Sequence, residues 1–221
     1  MKVLVLTGGI GSGKSTVLSV IKDEFKQAFC LKADDISHKI TSDRKFLRSI
    51  GVSSRKELRE RMFVDASLKR RAEKSVHRRV GIILLKELLK AWFKGVQICV
   101  IELPIWFELP FWKVTKGNNI LACAPLEMRA KRVMQRDGLS KEQFMQRINA
   151  QMPDEQKMLL ADHVVHNDSD MNSLEEEINV LMGLYQPNYI VDKILLYYCA
   201  LLLLILIVLF GTVVLARGFR G

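Results

Sequence analysis

Gly8-Gly9-Ile10-Gly11-Ser12-Gly13-Lys14-Ser15-Thr16 sets glycines, a lysine and a hydroxyl at the spacing that phosphate binding requires. The pattern is G-x-x-x-x-G-K-[ST], with Gly8, Gly13, Lys14 and Ser15 at its defining positions. Glycines let backbone N–H groups wrap an anion closely, and the helix start behind them adds partial positive charge. In such a cradle Lys14 reaches the β- and γ-phosphates of a nucleotide, and the Ser15 hydroxyl holds Mg²⁺. A turn that binds nothing has no need for Lys-Ser at the helix start.

Two carboxylates follow strand-like runs. Asp34 comes just after Ala28-Phe29-Cys30-Leu31, where an open α/β sheet presents side chains to its ligand crevice. It is a candidate to take the proton of an attacking hydroxyl or to act on Mg²⁺ through water, with a helix N-cap as the alternative. Asp35 is a second candidate for that cap. Glu102 follows Val96–Ile101, the clearest central strand, and is placed like the acid that helps hold Mg²⁺ in phosphate-loop proteins; an ordinary loop carboxylate is the alternative. Arg129, Arg132 and Arg136 recur near one helix face, either solvated or closing over a triphosphate to stabilise transferred charge. Pro104-Ile105-Trp106-Phe107-Glu108 is too aromatic for an exposed loop, so Trp106 and Phe107 cover a substrate or pack in the core.

The elements that must position these groups are legible as periodicity. Val3–Leu6 reads as a buried parallel strand, and Val17, Leu18, Val20, Ile21 and Phe25 recur at helical spacing after the loop. Residues 40–94 are rich in helix, with Leu58, Met62 and Phe63 as one apolar cluster and 82–92 as a well-buried helix. Asn119–Cys123 and His163–His166 read as further strands. Pro125 and Ser140 mark helix starts, and 171–184 closes the domain as a helix.

From Ile194 to Ala216 there is no charged residue, and Leu, Ile and Val dominate. A run of this kind is long enough to cross the hydrocarbon layer, for which about 20 helical residues suffice. Asp192-Lys193 and Tyr197-Tyr198 flank its start and Arg217 and Arg220 follow it, as interfacial anchors would. The expectation is a single-pass tail anchor with the globular part facing the cytosol; the phosphate loop begins too early for a preceding signal peptide. The net charge of +10 then serves phosphorylated ligands, with attraction to a lipid surface as a second effect, and no nucleic-acid module is recognisable. Cys30, Cys99, Cys123 and Cys199 form no C-x-x-C pair and read as buried thiols.

Taken in order, these motifs resemble the dephospho-CoA kinase family. Leu6–Thr16 is similar to that family's phosphate loop, and Ala33-Asp34 to the end of its Asp-Ala-Asp motif. Leu58–Phe63, His77, Pro104–Glu108, Arg132, Arg136, Arg147-Ile148 with Gln151, and Ala161-Asp162 with Asn167 follow in the family's order. The resemblance implies an α/β three-layer P-loop domain over 1–184, with a parallel sheet, a helical acceptor region and a mobile lid. A linker at 185–193, a transmembrane helix at 194–216 and a short tail at 217–221 complete the expected organisation.

The resemblance also implies ATP as donor and the ribose 3′-hydroxyl of dephospho-CoA as acceptor. Asp34 is then the general base, while Lys14, Arg132 and Arg136 stabilise the transferring group. The acceptor lies near Asp34, His77, Pro104, Phe107 and Glu108, and Asn167 near the ATP base. Lys32 stands where the family has its first Asp, Arg78 where it has proline, and 43–55 is shorter. Another small-metabolite or nucleoside monophosphate kinase, and an ATP-binding membrane adaptor without transfer chemistry, are the competing readings.

Overall fold

Short aliphatic runs alternating with amphipathic helices dictate parallel strands, because each crossover helix returns the chain to the same sheet edge. A computed structural model describes residues 1–109, 113 and 116–185 and realises that pattern. Strand β1 (Lys2–Thr7) leads through the glycine loop into α1 (Lys14–Glu24) and β2 (Ala28–Lys32). Four helices follow: α2 (Ala33–Ser42), α3 (Arg44–Ser49), α4 (Arg55–Val64) and the long α5 (Ala66–Phe93). Next come β3 (Ile98–Glu102), a 3-10 turn at Trp106–Glu108 and β4 (Asn119–Cys123). The chain then runs through α6 (Leu126–Asp137), α7 (Lys141–Asn149), α8 (Asp154–Leu160), β5 (His163–His166) and α9 (Met171–Gly183).

All pairings are parallel, in the order β2-β3-β1-β4-β5. Alternation along β1 sends Leu4 and Leu6 to one face and Val5 to the other. The first face packs on Val17 and Ile21 of α1 and on Leu174, Ile178 and Met182 of α9. The second face meets Trp106, Phe107 and Leu121. A third cluster, with Ile40, Phe46, Leu58, Leu68 and Val76, holds α2 to α5 together as a separate helical region.

Side-chain caps divide that helical stretch. Asp43 accepts from Lys45 N, Ser54 from Glu57 N, and Asp65 from both Ser67 N and Leu68 N. Farther on, Ser140 and Gln143 form a reciprocal capping box at the start of α7, as the sequence predicts. Neither Asp34 nor Asp35 caps α2. Lys32 occupies that position without a side-chain bond, and both acids sit inside the first turn. There the helix dipole favours their negative charge.

Burial corrects two expectations. Phe63 points to solvent at 92% exposure, while Leu58 alone of its trio is fully buried. The predicted buried helix at 82–92 is the last half of α5, and Ile82, Leu85, Leu89 and Trp92 are all exposed there. Only Ala91 is buried in that stretch. Apolar periodicity identifies a helix face correctly, yet it does not establish that anything covers the face.

Of the cysteines, Cys99 is buried in β3, and Cys30 and Cys123 are half-buried, all as free thiols. Burial pushes each thiol up, Cys99 to about 12. Among the described residues no helix is long and apolar enough to cross a membrane. The charge-free run at 194–216, residues 186–193 of the linker and Cys199 lie outside the described residues, while Tyr185, expected to open the linker, is instead buried in the core of the domain.

Candidate active site

The glycine loop leaves the C-terminal end of β1, the central strand, so it lies where an open parallel sheet forms its ligand crevice. Two of its glycines are required by shape. Gly11 and Gly13 have φ of +77° and +85°, where L side chains are strained. A Cβ on Gly13 would also collide with the Asn167 amide, which donates to the Ser12 carbonyl at 3.2 Å. The Lys14 ammonium donates to the carbonyls of Gly8 and Gly9 at 2.9 and 3.0 Å, folded over the loop it would leave to meet a phosphate. Burial draws its pKa down to about 8, against the opposing pull of Glu102 and Asp34.

Register brings the acids to the same place. Glu102 stands beside Leu6 on one side and Lys32 on the other. It is 8% exposed. Its Oε1 accepts from the Ser15 hydroxyl at 3.5 Å, whereas Oε2 is buried with no hydrogen-bond partner among the described residues. Burial raises the Glu102 pKa, partly offset by Lys32 and Lys14. A buried carboxylate oxygen lacking a donor, beside a hydroxyl at the head of a phosphate loop, fits a hard cation. Among the described residues no trio of His, Cys, Asp or Glu gathers round a metal. Such a cation would therefore draw its other ligands from phosphate and water. Asp34 is exposed on the first turn of α2, near enough to Lys14 and Glu102 to influence both.

The three arginines of α6 separate into different roles. Arg129 is 2% exposed, donates from Nε to the Ile10 carbonyl at 2.8 Å and pairs with Asp154. Lys157, also buried, pairs with the same carboxylate at 3.5 Å. This cluster braces the loop from α6 and α8. Arg132 Nη2 donates to the Asn167 carbonyl at 3.0 Å, and its Nη1 is buried without a partner. Arg136 instead lies 66% exposed and forks onto Asp137 at 2.8 and 2.9 Å.

The remaining candidates spread outward. His77 is exposed on α5. The Pro104 carbonyl accepts from the Thr7 hydroxyl at 3.1 Å, and Glu108 accepts from Met152 N at 3.1 Å. Phe107, a candidate for substrate contact, is instead buried against Val5 and Leu121. Trp106 is buried with it, its indole N–H donating to Asn119 at 2.8 Å. Sequence reasoning missed the cluster of Arg129, Asp154 and Lys157, because Arg129 meets Ile10 and Asp154 from distant parts of the chain. Gln151, whose Oε1 accepts from Ile10 N at 3.2 Å, was signalled only by its place in the ordered motifs.

Replacing Arg129 by Met keeps most of its packing but strips Ile10 and Asp154 of a charged donor. Arg129→Met is expected to cost about 3 kcal/mol, since hydrogen bonds to charged groups contribute about 1.5–3 kcal/mol each. Urea unfolding measures this loss; an unchanged midpoint would show that the brace is dispensable.

A parallel sheet, a phosphate loop at the end of its central strand and arginines from a following helix define a phosphate-loop kinase scaffold. Its kinship can be stated more narrowly. A sequence profile described as dephospho-CoA kinase matches residues 2–173, and the chain belongs to the dephospho-CoA kinase family. The dephospho-CoA kinase of Thermus thermophilus is 30% identical over 187 residues, 82% of this chain and 90% of that one. Its namesake from Arabidopsis thaliana is 29% identical over 201 residues, 85% of each chain. A crystal structure of a Thermus thermophilus protein superposes with a TM-score of 0.72 at 29% identity, covering 84% of this chain and 98% of the other.

Proposed function

We propose that this enzyme transfers the γ-phosphoryl group of ATP to the ribose 3′-hydroxyl of dephospho-CoA, forming coenzyme A and ADP. The observation that carries this reading is the family match across residues 2–173, which includes the loop, Asp34, the helical region and the arginines of α6. Asp34 takes the proton of the 3′-hydroxyl as its oxygen bonds to the γ-phosphorus, and the bond to the β–γ bridging oxygen breaks. Lys14 leaves the Gly8 and Gly9 carbonyls for the phosphates. Arg132, with its unpartnered Nη1, and Arg136, once released from Asp137, stabilise the transferring charge. Ser15 and Glu102 would hold Mg²⁺, which would supply neutralisation of the transferring phosphate charge.

The loop backbone from Gly8 to Thr16 cradles the phosphates, and Asn167 borders the nucleotide base. His77, Pro104 and Glu108 border the acceptor; Phe107 supports that turn from beneath. A screen of the full chain with Mg-ATP against dephospho-CoA, nucleosides and common sugars tests the reading. Coenzyme A formation well above all other products is expected; preference for a nucleoside or sugar would reassign the acceptor, and no transfer would favour an ATP-binding adaptor.

Lys14 gives this site a pH signature. A phosphate anion favours the ammonium, whereas burial favours the neutral amine, so above about pH 8 nucleotide binding must take up a proton. ATP affinity is therefore expected to fall by up to about tenfold per pH unit above 8 and to be flat below it. Calorimetric titrations from pH 7.5 to 9.5 check this, with Lys14→Arg as the variant that keeps its charge. An equal decline in both proteins would place the titrating group elsewhere.

Residues 194–216, apolar and free of charge, act in this reading as a tail anchor that leaves residues 1–185 in the cytosol. The full chain is expected to resist carbonate and high-salt washes, since a spanning helix is not displaced by screening. Release by salt alone would replace the anchor with surface attraction.

A further inference from the structure

The last three turns of α5 carry an apolar stripe that no described element covers. Ile82, Leu85, Leu89 and Trp92 follow one another at helical spacing, and Phe93 extends the stripe at 79% exposure. Trp92 and Phe93 meet edge to face, 4.9 Å between ring centroids. Bordering this face are Lys86, Lys90 and Lys94, all exposed. The acid in the same stretch, Glu87, is half-buried and paired with Lys90 at 2.7 Å. Monomers seldom leave so continuous an apolar patch without a partner.

We propose that this face of α5 docks on a bilayer surface carrying anionic phospholipid. Trp and Phe beside lysines are the side chains that settle at the headgroup boundary, rings toward the acyl chains and ammonium groups toward phosphate. A second copy of the chain fits less well. Apposing two such faces would bring rows of lysine together, and lysine is depleted from protein interfaces.

Chain topology supports the same occupant. The end of α5 leads into β3 at the N-terminal edge of the sheet, where Val96 N bonds back to the Ala91 carbonyl and Lys2 N to the Gln97 carbonyl. The described chain ends at that edge too. Tyr185 donates to the Gly117 carbonyl at 2.9 Å, and Lys2 lies 5.7 Å over its ring. The eight residues 186–193 extend at most about 28 Å before the charge-free run. The end of α5 and the last described residue, Tyr185, thus share one end of the sheet, while the phosphate loop opens from the opposite end. Docking converts a tether into a fixed orientation. This inference rests on the tail-anchor reading.

Tryptophan fluorescence of the full chain in vesicles tests it, because Trp92, Trp106 and Trp112 are its only tryptophans and none lies beyond 185. Wild type and Trp92→Phe are compared in phosphatidylcholine vesicles with brominated acyl chains, with and without phosphatidylserine at about 30%. Sedimentation with the vesicles reads the anchor separately. The expected result is bromine quenching of Trp92 that appears with phosphatidylserine, is lost in Trp92→Phe, and reflects a docking equilibrium about 100-fold weaker when Lys86, Lys90 and Lys94 become Gln. Sedimentation without bromine quenching, with Trp92 open to aqueous acrylamide, would leave the anchor standing and overturn docking. Shielding of Trp92 from both quenchers would mean that protein covers the face and would equally overturn it. Equal quenching in neutral vesicles would remove the anionic lipid from the account, and failure to sediment would defeat the anchor and the docking together.

Discussion

Lys14→Ala is expected to lower phosphoryl transfer by at least about 100-fold, because it removes a fixed charge from the developing transition state. The fold should survive. Among the described residues the Lys14 ammonium bonds only to carbonyls of its own loop, and those carbonyls can turn to water when it is removed. The loop is also held independently by Arg129, Gln151 and Asn167. Steady-state rates with saturating dephospho-CoA, alongside melting curves, separate the two effects. Near-normal turnover in a correctly folded variant would remove the nucleotide from this loop.

Asp34→Asn is expected to retain ATP affinity and lose about 10²- to 10⁴-fold in transfer, the range that a positioned base supplies. The amide keeps the shape of the side chain, and α2 does not depend on Asp34 for its cap. An exposed carboxylate near Lys14 and Glu102 is free to meet an incoming acceptor. Nucleotide binding and initial rates are measured on the same preparation. If both fell together with loss of structure, Asp34 would be holding the helix start; if neither changed, the proton goes to another group.

How much of this was legible depends on whether the signal was local. The strand–loop–helix order around Gly8–Ser15 is local, and the structure reproduces it. So are the Ser140 capping box and the acid following the 96–101 run. The side chains of α6 show where local reading stops. Arg129, Arg132 and Arg136 share a spacing rule, yet the first is buried and the last exposed, because Asp154 and Asn167 reach the helix from distant parts of the chain. Lys157 has no apolar or motif signature, and its burial follows from the same carboxylate. Asp34 was ambiguous for a different reason, since its place as cap and its observed place in the first turn differ by only two residues of helix phase.

Cys30, Cys99 and Cys123 bear on a hazard that comes with the acceptor. Dephospho-CoA carries a thiol of its own, and its oxidised forms exchange with protein thiolates through mixed disulfides. The attacking species is the thiolate. With its pKa near 12, Cys99 holds only about one part in 10⁵ in that form at neutral pH. The other two are shifted the same way, and β3 lies inside the sheet, between β2 and β1. Burial of all three thus lowers the thiolate share open to the substrate's sulfur, and turnover should persist in a glutathione buffer poised toward disulfide.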